Sequence, residues 1–212
     1  LVTVEADPVL VETRLAGGQL CCPGSGCCES LRPWGWARPR GVHGIVGPLR
    51  PRRARCGACL VTHVLLPVTV LLRRAYAADV IGAAVEARAA GVGHRPVGQQ
   101  LEVPASTVRG WLRRLGSRLE PTRVVLLQVA VRAGVDVRVP AASGCRWRDL
   151  LAVLEAALVA VTGRFGAVGV LGPVTAWQVA VGVSGGRLLA PGWPVRCGPS
   201  AATRVAPDVR AC

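Results

Sequence analysis

The segment Pro104-Ala-Ser-Thr-Val-Arg-Gly-Trp-Leu-Arg-Arg114 decides how the chain is read. Its apolar residues Val108, Trp111, Leu112 and Leu115 recur at helical spacing and share one face. Ala105, Ser106, Arg109, Gly110 and Arg113 share the other, with Arg109 and Arg113 one above the other at i, i+4. Small residues at the start of such a helix let its backbone approach a duplex. An arginine can then bond guanine bidentately in the major groove. Ser106, Thr107, Arg109, Arg113 and Arg114 are therefore the candidate DNA-reading residues.

Working outward, Ala77, Val80, Ile81, Ala84 and Val85 form an amphipathic stripe that predicts a helix over 77–90, stopped by Gly91-Val92-Gly93. A short helix over 96–101 follows, with Pro96 in its first turn and Val97 and Leu101 on one side. The third runs over 104–119. Gly98, Val103, Val108 and Trp111 sit where a helix-turn-helix needs one small residue for close approach and three apolar contacts to fix the helix crossing. The turn position that commonly holds a left-handed glycine is Glu102, at a cost of about 1–2 kcal/mol for a residue with a side chain. The helix-turn-helix domain is assigned to residues 71–121. A three-helix interaction bundle with solvated arginines is the competing reading.

Residues 20–70 are rich in Cys, Gly, Pro and Arg, a composition too thin for a hydrophobic core of its own, and such modules need a staple. Cys56 and Cys59 form a C-x2-C pair, and Cys22 and Cys27 form a C-x4-C pair separated from it by 28 residues. Four thiolates so spaced suit a zinc-ribbon-like module holding Zn tetrahedrally at about 2.3 Å. The first knuckle is irregular: Ser25 stands where a C-x2-C pattern would place cysteine, so Cys27 or Cys28 must take that role across a wider loop. His63 is a substitute ligand by spacing, and buried cysteines acting as small apolar residues are the alternative. Arg38, Arg40, Arg52, Arg53 and Arg55 are read as phosphate contacts, and Trp34 and Trp36 as residues capping the small metal core.

All 26 basic residues are arginine, the formal net charge is +14, and residues 30–78 hold nine arginines and no acid. A chain so basic attracts polyanions, and the patch lies just ahead of the helix-turn-helix. The first twenty residues carry Glu5, Asp7 and Glu12 and lack the pattern of a secretory signal, so the chain is read as cytoplasmic with its cysteines reduced or metal-bound. The absence of methionine, even at position 1, fits a non-standard start or a piece of a longer frame. Residues 1–19 form an N-terminal segment with one short strand. Residues 122–212 are a mainly helical C-terminal region: helices are predicted over 148–162 and 173–183, the runs 124–131 and 135–139 are ambiguous, and the tail from Pro191 frays. No apolar stretch is long enough to predict a membrane span.

The runs Leu31 to Arg40, Leu49 to Cys59, Thr62 to Pro67, Gly93-His-Arg95 and Thr107 to Arg114 together resemble a group of uncharacterised helix-turn-helix proteins of high-GC bacteria, grouped as a domain of unknown function. The order of ribbon and helix-turn-helix is also similar to the front end of insertion-sequence transposases. The resemblance covers residues 20–120 and implies DNA recognition. The acids Asp136, Asp149, Glu155 and Asp208 do not resemble a spaced nuclease triad, and no Ser/His/Asp set or phosphate-cradling loop is present, so no catalysis is expected. The fold expected is mainly α with a small β zinc-ribbon-like module. The function expected is sequence-specific binding of double-stranded DNA, as a regulator or as the recognition part of a transposase-like protein, with room for a homodimer. A non-catalytic interaction module or degenerate transposase remnant is the alternative.

Overall fold

Asp7-Pro8 starts a helix where the sequence predicts only strand. In the computed structural model, which describes residues 1–27, 29–134, 137–166 and 173–194, a short strand β1 (Val2–Val4) leads at once into α1 (Pro8–Ala16). Asp7 caps α1 by accepting from the Val9 N–H at 2.8 Å, and Pro8 supplies the first turn. Weak alternation in this stretch hid the cap-plus-proline signal. Strands β2 (Leu31–Trp36), β3 (Arg52–Cys56) and β4 (Thr62–Pro67) follow, and the sheet order is β1-β4-β3-β2. β2 and β4 flank β3 antiparallel, while β1 joins β4 in parallel. The inward residues Leu31, Ala54, Cys56 and Leu65 pack with Val4, Val11, Leu15, Leu20 and Cys22 into one small core.

The rest is helical: α2 (Ala78–Ala89), α3 (His94–Gln100), α4 (Ala105–Gly116), α5 (Leu119–Ala133), α6 (Arg146–Phe165) and α7 (Ala176–Ser184). The chain is thus mainly α with a small sheet. The ambiguous run 124–131 lies within α5, because Leu119, Thr122, Leu126, Ala130 and Ala133 form a buried helical stripe facing α6. Packing on a neighbour overrides the β preference of its valines. The expected helix start at Pro173 moves to Ala176, where Thr175 and Gln178 form a capping box. Of the run 135–139, residues 135 and 136 lie outside the described residues and 137–139 have no regular structure.

Residues of α2 to α7, together with Leu71, Leu188 and Leu189, share one buried cluster. Leu119 and Leu126 both belong to it, so the sequence boundary at 121/122 falls inside a continuous core. Two hydrogen bonds pin α7 to α2: the Thr175 hydroxyl donates to Asp79 at 2.7 Å, and Trp177 Nε1–H donates to Glu86 at 2.7 Å. Gly82 lies between these two acids on the same face of α2, directly beneath the Trp177 indole.

α3 crosses α4 closely at Gly98, where a methyl group would stand 2.7 Å from the Val103 carbonyl. Val97, Val103, Val108, Trp111 and Leu115 are buried at the junction. Glu102 does adopt the left-handed conformation, with φ +54°. Glu102→Gly is expected to raise stability by about 0.5–1 kcal/mol, because relief of the left-handed cost outweighs the extra chain entropy of glycine. The midpoint of urea unfolding measures it; an unchanged or lower midpoint would contradict this account of the turn.

A loop of the sheet module reaches this junction. His43 hydrogen-bonds through its backbone to Ala75 and Ala77 at 2.9 and 2.8 Å, and Gly44 packs on Val80 and Ala77. The His43 Nε2–H donates to the Leu101 carbonyl at 3.1 Å, one residue before Glu102. Its ring tilts against Tyr76, which meets Trp111 edge-on at 4.9 Å.

Candidate metal centre and nucleic-acid interface

The β3–β4 turn and the loop before β2 bring four thiols together. Cys56 ends β3, Cys59 lies in the turn after it, and Cys22 and Cys27 bracket the upstream loop. Their sulfurs all lie within 4.8 Å of one another, with Cys22 to Cys59 at 3.6 Å and Cys27 to Cys56 at 3.4 Å. Sulfurs at the corners of a tetrahedron of 2.3 Å bonds stand about 3.8 Å apart, so the set fits a four-coordinate thiophilic ion. Cys27 therefore fills the irregular first knuckle; Cys28 lies outside the described residues, as do Asp136, Cys197, Asp208 and Cys212.

The four thiols influence one another's ionisation. The Gly24 N–H donates to Cys22 Sγ at 3.4 Å and favours thiolate, but burial and the other thiols outweigh it and push Cys22 up to about 12. At Cys56 the Cys59 N–H donates at 3.4 Å and the Cys27 and Cys59 thiols help, which brings Cys56 down to about 7 against the cost of burial. Cys56 is thus the readier of the two to ionise. His63 is not a fifth ligand in this arrangement. It is buried behind the site with Nε2 3.6 Å from Cys22 Sγ, and burial holds its pKa below the usual imidazole value.

The expected reading helix is α4. Val108, Trp111, Leu112 and Leu115 are buried beneath it, and Ser106, Arg109 and Arg113 are exposed on its outer side. Thr107 and Arg114 lie half-buried on the flank, Arg114 with its guanidinium over Gly110. Arg74 nearby has its pKa lowered, first by burial and then by the Arg114 charge.

The arginines of the sheet module divide into two groups. Arg38 is exposed, and Arg40 and Arg53 are half-buried. Arg52 instead ties the module together: its Nε meets Glu12 of α1 at 2.7 Å and its guanidinium donates to the Gly35 carbonyl at 2.7 Å. Arg55 donates to the Leu60 carbonyl at 3.1 Å and lies over the Trp34 ring at 4.5 Å.

The two tryptophans overturn the capping expectation. Trp34 is 51% exposed and Trp36 45% exposed, so neither covers the cysteines. The cause lies in Arg-Pro-Trp-Gly-Trp: Gly35, at φ +100°, breaks the alternation and shifts the register between Pro33 and Trp36. Pro33 pairs with buried Ala54, which puts Trp34 on the opposite face, whereas Trp36 pairs with Arg52 on the α1 side.

Comparison with protein-family models, curated proteins and solved structures finds no match. Among the described residues no helix is long and apolar enough to cross a membrane.

Proposed function

We propose that the chain binds double-stranded DNA as a zinc-ribbon and helix-turn-helix protein, in keeping with the resemblance to transposase front ends and helix-turn-helix proteins. The observation that carries the reading is the division of α4: an apolar side locked by Gly98, Val103 and the left-handed Glu102, and an outer side offering Ser106, Arg109 and Arg113 to solvent. That division is what a helix needs to enter a major groove while held rigidly from behind. The four thiols would hold zinc, which is redox-inert and accepts an all-sulfur tetrahedron, and its task would be to fix the hairpin. Arg38, Arg40 and Arg53 would meet phosphates; Arg52, engaged by Glu12, drops out of the contact set.

Selection from a random duplex library tests this reading. A consensus is expected to emerge, and Arg109→Ala and Arg113→Ala should each weaken binding to it by about 1–3 kcal/mol while relaxing preference at one base pair. Arg53→Ala should weaken all duplexes alike and reduce the slope of log affinity against log salt by about one. If no sequence is enriched and the two α4 variants bind like the parent, the interaction-module reading replaces this one.

A further inference from the structure

Among the described residues, one face of β2 and β3 carries no helix. Opposite the buried side of β2 and β3, which carries Leu31, Ala54 and Cys56, lie Arg32, Trp34, Arg53 and Arg55. Arg32 and Trp34 are exposed, and Arg53 and Arg55 half-buried. β2 is the edge of the sheet. Its neighbouring sequence, residues 30–78, contains no acid. The Trp34 indole is half in solvent although such a ring gains by burial, and Arg55 stacks on it at 4.5 Å instead of pairing with a carboxylate.

We infer that this open sheet face binds unpaired nucleotides, with Trp34 stacking on a base and Arg32, Arg53 and Arg55 tracking the strand's phosphates. A flat aromatic ring framed by cations is the recurring solution for single strands, because every base has a π-face and every linkage a negative charge. A duplex could not use the ring, since its bases are already stacked. The register shift at Gly35 limits the platform to one ring: Trp36 lies on the other face, beside Arg52 and Arg50. The inference deepens the nucleic-acid reading above and rests on it for the class of ligand. It assigns α4 to paired DNA and the Trp34 ring to a strand that is open, with Arg53 beside the ring meeting the phosphates of either.

Fluorescence anisotropy with the purified full chain tests it, using labelled oligo(dT) and oligo(U) of about 12 nucleotides beside the selected duplex. Trp34→Ala should weaken binding to the better of the two oligonucleotides about tenfold, Trp34→Phe should recover most of the loss, and neither should change duplex affinity by more than about twofold. Whichever oligonucleotide binds better tells whether the strand is DNA or RNA. An unchanged affinity in Trp34→Ala, or no binding of either oligonucleotide, overturns the inference. So does an acidic peptide that binds with Trp34 dependence where the oligonucleotides do not. Trp34-dependent oligonucleotide binding without any enriched duplex would sink the α4 reading and leave this one. The reverse result would sink this one alone.

Discussion

Cys56→Ser should release the metal and unfold the sheet module. The sheet core consists of a few aliphatic side chains and two of the cysteines themselves, Cys22 and Cys56, so little apolar burial remains to hold β2, β3 and β4 once the cross-link is gone. Structural zinc in small modules contributes about 10–16 kcal/mol of apparent binding free energy, which in such modules is folding free energy. Zinc is expected at one equivalent per chain in the reduced parent and well below that in Cys56→Ser. Limited proteolysis should then cut within residues 20–70 while α2 to α7 stay resistant. Strong chelation of the parent should reproduce both effects. A reduced parent that holds no metal would show that the four thiols are packing residues, and a variant that loses its metal without becoming sensitive to protease would show that the metal does not hold the module together. Cys21 serves as the control. It is exposed and not one of the four clustered sulfurs, so Cys21→Ser should leave metal content and protease resistance as they were.

The second large effect is expected at Gly82→Ala. The added methyl group would collide with Trp177, a buried ring that cannot swing aside without surrendering its hydrogen bond to Glu86. Overpacking of a closed site costs about 1–3 kcal/mol, and losing the partner of a buried N–H adds about 1 kcal/mol or more. A loss of about 3 kcal/mol, read as a lowered urea midpoint, should result even though alanine is the better helix former. Trp177→Leu in the Gly82→Ala background should recover part of the loss, since the smaller side chain leaves the methyl group room. If Gly82→Ala is neutral, α7 does not seat on α2 in the way described.

The trihelical segment was the most legible part of the chain, because its determinants are local. Val97, Val103, Val108 and Trp111 are spaced along one short stretch, and each is buried as that spacing requires. Even the non-glycine turn residue could be placed, since the left-handed position follows from the lengths of α3 and α4. The thiol cluster was legible by count and spacing, with the choice of Cys27 within the first loop needing the fold. The sheet edge was not legible. One glycine resets the side-chain alternation of β2, and with it the direction of both tryptophans, a shift that a composition of Arg, Pro and Trp does not announce. α5 was obscure for another reason. Its valines favour strand, and α6, distant in sequence, supplies most of the surface that makes it a helix. The role of Arg52 depends in the same way on α1, a helix that weak alternation concealed.

The loop at His43 gives the chain a property that neither half has alone. It grips the carbonyl of Leu101 beside the turn, and through Tyr76 it leans on Trp111, a buried residue of α4. On the proposed reading, zinc that orders the cysteine hairpin would also favour one setting of α4, and zinc and DNA would share a coupling free energy. Such coupling is reciprocal. If zinc tightens the grip on DNA by some factor, bound DNA must raise the affinity for zinc by the same factor, and at equilibrium the protein on its target would yield its metal to a chelator less readily than the free protein.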